Sequence, residues 1–286
     1  MHECPRKYQL YKLKAARSEE DISSSVTFSY GHCVGLGLQL VLQGKTESEI
    51  LLSLFQEWKC DLAADNPKQN KSFYQAVYAV QKFVAMREQG YLANYELVSY
   101  RGKPAVELSF RITILGGYTY RGYVDAVLRH KISGEVVVLE VKTSSAYALN
   151  PASYKNSAQA IGYSVVLDVM FPELSSYKVI YLVYKTKELE YEQLDFSKTY
   201  LQRALWIQEL MLDVDTLTLY ETSGIYPMRG ESCAGKWGRD CEYLQVCTLS
   251  TDRLSSPVPP DDELDAVEYQ IELSLADLIT SQLTKN

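Results

Sequence analysis

Two acids and a lysine stand where they could hold a cation and activate water. Asp125 closes Gly122-Tyr123-Val124-Asp125, and fifteen positions on, Glu140-Val141-Lys142 follows the apolar run Val136-Val137-Val138-Leu139. Side chains alternate along a strand, so Glu140 and Lys142 point to one face. Between the runs, His130-Lys131-Ile132-Ser133-Gly134-Glu135 is a polar turn containing Gly. An antiparallel hairpin turning between Ile132 and Ser133 sets Asp125 opposite Glu140, which converges two carboxylates and an ammonium on one spot. Carboxylates forced together repel unless a cation joins them, so a divalent metal is the natural occupant. An exposed charge cluster is the plain alternative. Four consecutive apolar residues, however, indicate a strand buried on both faces, where uncompensated charge is costly.

Local signals place the elements that must position these groups. Thr46-Glu47-Ser48-Glu49 is a capping box opening a helix through about Cys60, and a second helix runs from about Ser72 to Glu88, ending at Gly90. Strand patterns occupy Tyr95 to Leu139, with Gly116-Gly117 as a hairpin turn. A helix over Pro151 to Met170 puts Gln159 and Tyr163, four apart, on one face. Tyr177 to Tyr184 reads as a further strand and Thr199 to Leu212 as a helix. Helices, then a mainly antiparallel strand set, then helix and strand predict an α/β (mixed α+β) fold, a central mixed sheet flanked by helices.

These motifs together resemble the PD-(D/E)XK nuclease superfamily, in the branch of the RecB and AddB nuclease domains, the iron–sulfur nucleases of CRISPR adaptation and phage exonucleases. That branch carries a Gly-x-x-Asp strand, a Glu-x-Lys strand and a Gln-x-x-x-Tyr helix, found here in that order, and Val106-Glu107-Leu108-Ser109-Phe110 resembles its preceding strand. The resemblance spans roughly Cys4 to Cys247. It implies a restriction-endonuclease-like sheet and hydrolysis of DNA with Mg²⁺ or Mn²⁺, most simply by an exonuclease of recombination, repair or phage DNA metabolism. Asp125, Glu140 and the Val141 carbonyl would ligate the metal, and Lys142 would orient water or stabilise the transition state. Gln159 and Tyr163 would hold the lysine and the DNA strand in register. Glu107 is a second-metal group, an outer support or an ordinary ion-pair partner. The branch's metal-binding His aligns with Gly35 if Gly31 is its glycine, which leaves His32 as a candidate ligand one turn earlier.

Four of the six cysteines sit at the ends of this region: Cys4, before Pro5, and Cys233, Cys241 and Cys247. In cluster-bearing relatives one N-terminal and three C-terminal cysteines staple the chain ends around a 4Fe–4S cluster. The last spacing matches that pattern, whereas the gap from Cys233 to Cys241 is longer. Soft thiolates suit iron–sulfur or zinc. Cys33 and Cys60 read as ordinary buried cysteines. The basic helix from Pro5 to Arg17, with Arg6, Lys7, Lys12, Lys14 and Arg17, is either a solvated face or a DNA-phosphate contact.

The chain has 286 residues and a net charge of −7, of which residues 251–286 carry −6, so the acidic balance leaves the body free to bind DNA through a local basic groove. The expected organisation is a nuclease domain over 1–250 with a helical insertion at 27–92, a Pro-rich linker at 251–260 and an acidic tail at 261–286. That tail alternates like a strand at Val267, Tyr269, Ile271, Leu273 and Leu275, and repeats like a helix at Leu264, Val267, Ile271, Leu275 and Leu278. It could dock on its own body, self-associate, or bind a protein partner. With no membrane span and no signal peptide, a cytoplasmic location is expected. A catalytically vestigial DNA-binding or assembly protein is the second reading, disfavoured by three intact converging charges. RNA as substrate is a third.

Overall fold

The apolar run at 136–139 is fully buried because it crosses the middle of a sheet with helices on both faces. The computed structural model describes residues 4–13, 15, 26–172, 177–233, 240–250 and 268–283. The chain divides into two compact units: Met1–Ser25 with Asp215–Glu268, and Val26–Val214 with Tyr269–Asn286.

Helix α1 (Pro5–Lys12) belongs to the smaller unit. The larger opens with α2 (Val26–Leu42), α3 (Glu47–Glu57) and α4 (Phe73–Glu88). Thr46 and Glu49 form a reciprocal capping box on α3, and Ser72 caps α4 by accepting from the Gln75 N–H at 3.1 Å. Strands β1 (Tyr95–Leu97), β2 (Ser99–Tyr100), β3 (Lys103–Pro104), β4 (Val106–Thr113), β5 (Thr119–His130) and β6 (Val136–Ser144) follow. After α5 (Pro151–Lys155) and α6 (Ala158–Met170) come β7 (Tyr177–Lys185), β8 (Glu190–Lys198) and α7 (Tyr200–Ser223), the last running from the larger unit into the smaller. The last described segment supplies β9 (Ile271–Ser274) and α8 (Leu275–Leu283).

Among the described residues, seven strands join one sheet in the order β8-β7-β6-β5-β4-β9, with β1 also on β5. The β4–β5, β5–β6 and β7–β8 pairs are antiparallel, whereas β6–β7 and β4–β9 are parallel. This is a mixed sheet between helical layers. Val137 and Leu139 face the cluster containing Val34, Leu54 and Phe83 of α2–α4, while Val136 and Val138 face Val165, Trp206 and Leu278 of α6–α8. Fully burying such a Val or Leu contributes about 1.5–3 kcal/mol, which locks the register.

Three segments depart from the local signals. The helix expected over 151–170 is interrupted at Asn156-Ser157, where Ser157 adopts extended backbone as the N-cap of α6. Asn and Ser favour caps over helix interiors, so the break follows from their chemistry. Strand β8, at the sheet edge, sets exposed polar residues among half-buried ones, and that polarity hides it in the sequence. The segment read as an acidic tail uses both of its periodicities in turn. Ile271, opposite Phe110, extends the sheet as a strand, then Leu275 and Leu278 bury a helical stripe. Among the described residues no helix is long and apolar enough to cross a membrane.

Candidate active site

The β5–β6 ladder runs from Arg129↔Val136 to Ala126↔Leu139 and stops there. One residue further, the strands part, and in that fork lie Asp125 and Glu140. Asp125 Oδ2 accepts the Val141 N–H at 2.8 Å, a bond that replaces the lost ladder and holds the carboxylate over β6. Gly122, three residues back, packs against the Phe110 ring so closely that any Cβ would overlap it, so this approach of β5 to β4 requires glycine.

Glu140 is 1% exposed, and among the described residues its Oε2 has no hydrogen-bond partner. Lys142 Nζ lies 2.6 Å from Glu140 Oε1, a close ion pair. The lysine also donates to Gln159 Oε1 at 3.2 Å, and Gln159 Nε2 donates to the Tyr163 hydroxyl, both residues on α6. The sequence's catalytic group Asp125, Glu140, Lys142, Gln159 and Tyr163 therefore lines one cavity of about 590 Å³. Burial is the main cause that lifts the Asp125 carboxyl from 3.8 to about 7, and the Glu140 charge adds to it against the Val141 hydrogen bond and Lys142. Burial also raises Glu140, with Lys142 restraining the rise. Burial followed by the two carboxylates pushes the Tyr163 phenol well up, which keeps it a neutral hydroxyl. Two buried carboxylates that resist ionising, one held by the Val141 N–H and the other by Lys142, form a donor set suited to a hard divalent cation.

Glu107 is the residue whose weight the sequence understated. It sits in β4 at φ +46°, in the left-handed region that a side chain of this size rarely takes. Regular strands keep i and i+2 on one face, yet Val106 packs with the α2–α4 cluster and Leu108 with the opposite one, so the alternation breaks at Glu107. The buried Gln39 of α2 donates to Glu107 Oε1 at 2.6 Å, and both residues line the cavity with Asp125. Glu107 also contributes to the raised Asp125 and Glu140 carboxyls. A buried Gln on an apolar helix was the available signal. His32 lines the same cavity, but its Nε2 stands 3.3 Å from Glu57 Oε1 and its ring stacks on Phe28. At Gly35 the space where a Cβ would lie is open. Among the described residues no three His, Cys, Asp or Glu side chains stand together as a metal-holding group.

In the smaller unit, Cys4, Cys233, Cys241 and Cys247 line one cavity of about 240 Å³. Burial pushes the Cys247 thiol up, Arg6 opposes the shift, and Cys4, Cys233 and Cys241 add to it, so the four thiols share one electrostatic environment. The thiols share the cavity without forming a ligand set. Arg6, from the basic helix, is turned inward: it is 9% exposed and donates to the Cys247 carbonyl at 3.0 Å and the Leu249 carbonyl at 2.5 Å. Lys7 pairs with Glu242 at 3.2 Å. Part of the positive charge expected to face phosphate thus fastens α1 to the cysteine segment. Lys14 and Arg17 lie outside the described residues.

The family model of the PD-(D/E)XK nuclease superfamily matches residues 1–248. No curated protein matches the chain significantly. Among solved structures, "Crystal structure of SSO0001" aligns at 16% identity with a TM-score of 0.32, over 85% of this chain and 94% of that one. That likeness is too distant to bear on the site.

Proposed function

The chain belongs to the PD-(D/E)XK nuclease superfamily, and on that premise we propose that it hydrolyses DNA phosphodiester bonds at the β5–β6 fork with Mg²⁺ or Mn²⁺. The observation that carries this reading is Glu140, a carboxylate 1% exposed and paired with the Lys142 ammonium at 2.6 Å, set in one cavity with a second buried acid. Asp125 and Glu140 would hold the cation, with the Val141 carbonyl as a further oxygen. Bound there, a divalent cation supplies Lewis acidity for water and screens charge on the phosphate. Lys142, held between Glu140 and Gln159, orients the attacking water and stabilises charge on the phosphoryl oxygens as it builds. Gln159 and Tyr163 fix that ammonium from α6, and Glu107 with Gln39 supports the acidic wall of the cavity.

Exonuclease action in recombination, repair or phage DNA metabolism is the finer reading, supported by the resemblance to the RecB and AddB branch. Digestion of 5′- and 3′-labelled single- and double-stranded DNA, linear and circular, with Mg²⁺, Mn²⁺ or EDTA tests it, with RNA as a parallel arm. Cleavage of linear but not circular DNA, abolished by EDTA, is expected. Binding without cleavage under every cation would favour the vestigial DNA-binding alternative.

A 4Fe–4S cluster on Cys4, Cys233, Cys241 and Cys247 is a second proposal, favoured by four of the six cysteines lining one cavity. No catalytic step is assigned to it. Anaerobically purified protein should be brown, absorb near 400 nm and hold about four irons. Colourless, iron-free protein would refute the cluster and leave the fork untouched.

A further inference from the structure

Tyr147 is 76% exposed, more than any other aromatic residue among the large exposed hydrophobics described. It lies in the loop that leaves β6, five residues after Lys142, hence at most about 17 Å along the chain from the reacting groups. The ring has one face engaged: Lys187 Nζ, from the turn between β7 and β8, sits 3.8 Å from its centroid. That geometry is a cation–π contact, worth about 0.5–1 kcal/mol at an exposed site.

The surroundings hold both residues in place. Strands β6 and β7 end side by side at Ser144↔Lys185, and the Thr186 N–H donates to the Ser144 carbonyl at 2.8 Å. Ser144 Oγ accepts the Ala146 N–H at 3.1 Å, and Asn150 caps α5 at the far end of the loop. Leu149 packs into the core below. The other side of the turn is tied down by Lys82, which donates to the Leu189 carbonyl at 2.5 Å. An exposed aromatic side chain is therefore presented on a braced loop with an ammonium behind it.

We infer that Tyr147 and Lys187 form a nucleobase-stacking subsite beside the proposed nuclease centre: an unpaired base lies on the open face of the ring and its phosphate takes the lysine's free hydrogens. The assignment rests on the nuclease reading. A flat π surface accepts any base, and an ammonium adjoining it supplies the anion contact, the two features by which proteins hold single strands. Tyr123, 46% exposed, adds ring surface on the cavity wall itself. A base paired inside a duplex has both faces covered by its neighbours, so the subsite selects a single-stranded or frayed segment.

The full chain should be titrated in EDTA with a fluorescently labelled single-stranded oligonucleotide, then with a series carrying one abasic position each. Tyr147→Ala should weaken binding roughly ten- to a hundredfold, the scale of one lost base stack, while Tyr147→Trp and Tyr147→Phe retain it. Lys187→Ala should steepen the loss less, with a smaller salt dependence than the wild type. In the wild type one abasic position should cost about as much as Tyr147→Ala does, and in Tyr147→Ala that same position should cost nothing, a coupling that a merely structural tyrosine would not produce. Blunt duplex should bind equally to both. Equal affinity of Tyr147→Ala and wild type, or identical abasic profiles, would overturn the subsite. Cleavage that survives with a flat abasic profile removes only the subsite. A wild-type chain that neither binds nor cuts nucleic acid removes the nuclease reading with it.

Discussion

Replacing Asp125 by Asn should make the metal-free protein more stable, by an amount that grows with pH. Asn keeps a carbonyl oxygen for the Val141 N–H, so the bond that spans the fork survives. What disappears is a charge the fold resists: burial, then Glu140, raises the Asp125 carboxyl from 3.8 to about 7. Between those values the folded chain holds a proton that the unfolded chain has released. Stability therefore falls as pH rises from about 4, and the loss is complete above about 7. A displacement of about three units corresponds to roughly 4 kcal/mol at 1.36 kcal/mol per unit. Burial, not Glu140, is the larger cause of the displacement, so the greater part of it should vanish with Asp125 alone. Urea unfolding in EDTA at pH 5, 6, 7 and 8 measures it, taken as the difference between variant and wild type so that titrations elsewhere in the chain cancel.

Cation binding supplies the matching arm. A cation at a hundredfold its Kd adds about 2.7 kcal/mol to whichever state binds it. Mg²⁺ or Mn²⁺ at pH 8 should restore the wild type and leave Asp125→Asn nearly unmoved. Parallel slopes in the two proteins from pH 5 to 8, or a variant less stable than wild type at pH 8, would refute the reasoning.

Glu140→Ala and Lys142→Ala should each lower DNA cleavage by about two to three orders of magnitude, since each removes a group needed mainly in the transition state. Near-wild-type rates from either, in folded protein by circular dichroism, would remove the site assignment. Tyr163→Phe should cost about tenfold in rate, the scale of one hydrogen bond, and a change beyond a thousandfold would mean the hydroxyl does chemistry itself. Deleting residues 269–286 strips Ile271, Leu275 and Leu278 from the core and exposes the β4 edge. Each such side chain contributes about 1.5–3 kcal/mol, so the urea midpoint should fall sharply or the chain aggregate on gel filtration; an unchanged midpoint would show the docked segment to be dispensable.

The parts of this molecule legible in the sequence are those set by short-range physics. The β5–β6 hairpin follows from a period of two and a Gly-containing turn, and the α3 cap follows from Thr46 and Glu49 three residues apart. Asp125, Glu140 and Lys142 share a cavity because strand alternation puts them there, and Gln159 with Tyr163 because helical spacing does. The illegible parts are set by partners far along the chain. Arg6 spends its charge on carbonyls 241 and 243 residues away, which nothing in a basic helix announces. The β9 strand finds β4 across some 160 residues, with Gln270 and Ser109 exchanging backbone-to-side-chain hydrogen bonds. Strand β8 is acceptable only as an edge, and edge position is a property of the finished sheet.

The same distinction explains why the fork sits where it does. Alternation brings Asp125 and Glu140 together, but a β4 that stayed regular through Glu107 would keep Val106 and Leu108 on one face. Instead the left-handed residue at 107 shifts the face of β4, and the β5–β6 ladder ends one residue short of the acids. Such a backbone costs about 1–3 kcal/mol, and it persists only where surrounding contacts over-determine it. Those contacts are present on each side: Gln39 holds the Glu107 carboxylate, while Ala105 and Leu108, which flank it, are fully buried. The strain and the resisting carboxyl groups occupy the same few residues, flanked by a strand with four fully buried apolar positions. That concentration distinguishes the fork from a cluster of charges on a surface, where side chains would move apart and titrate normally.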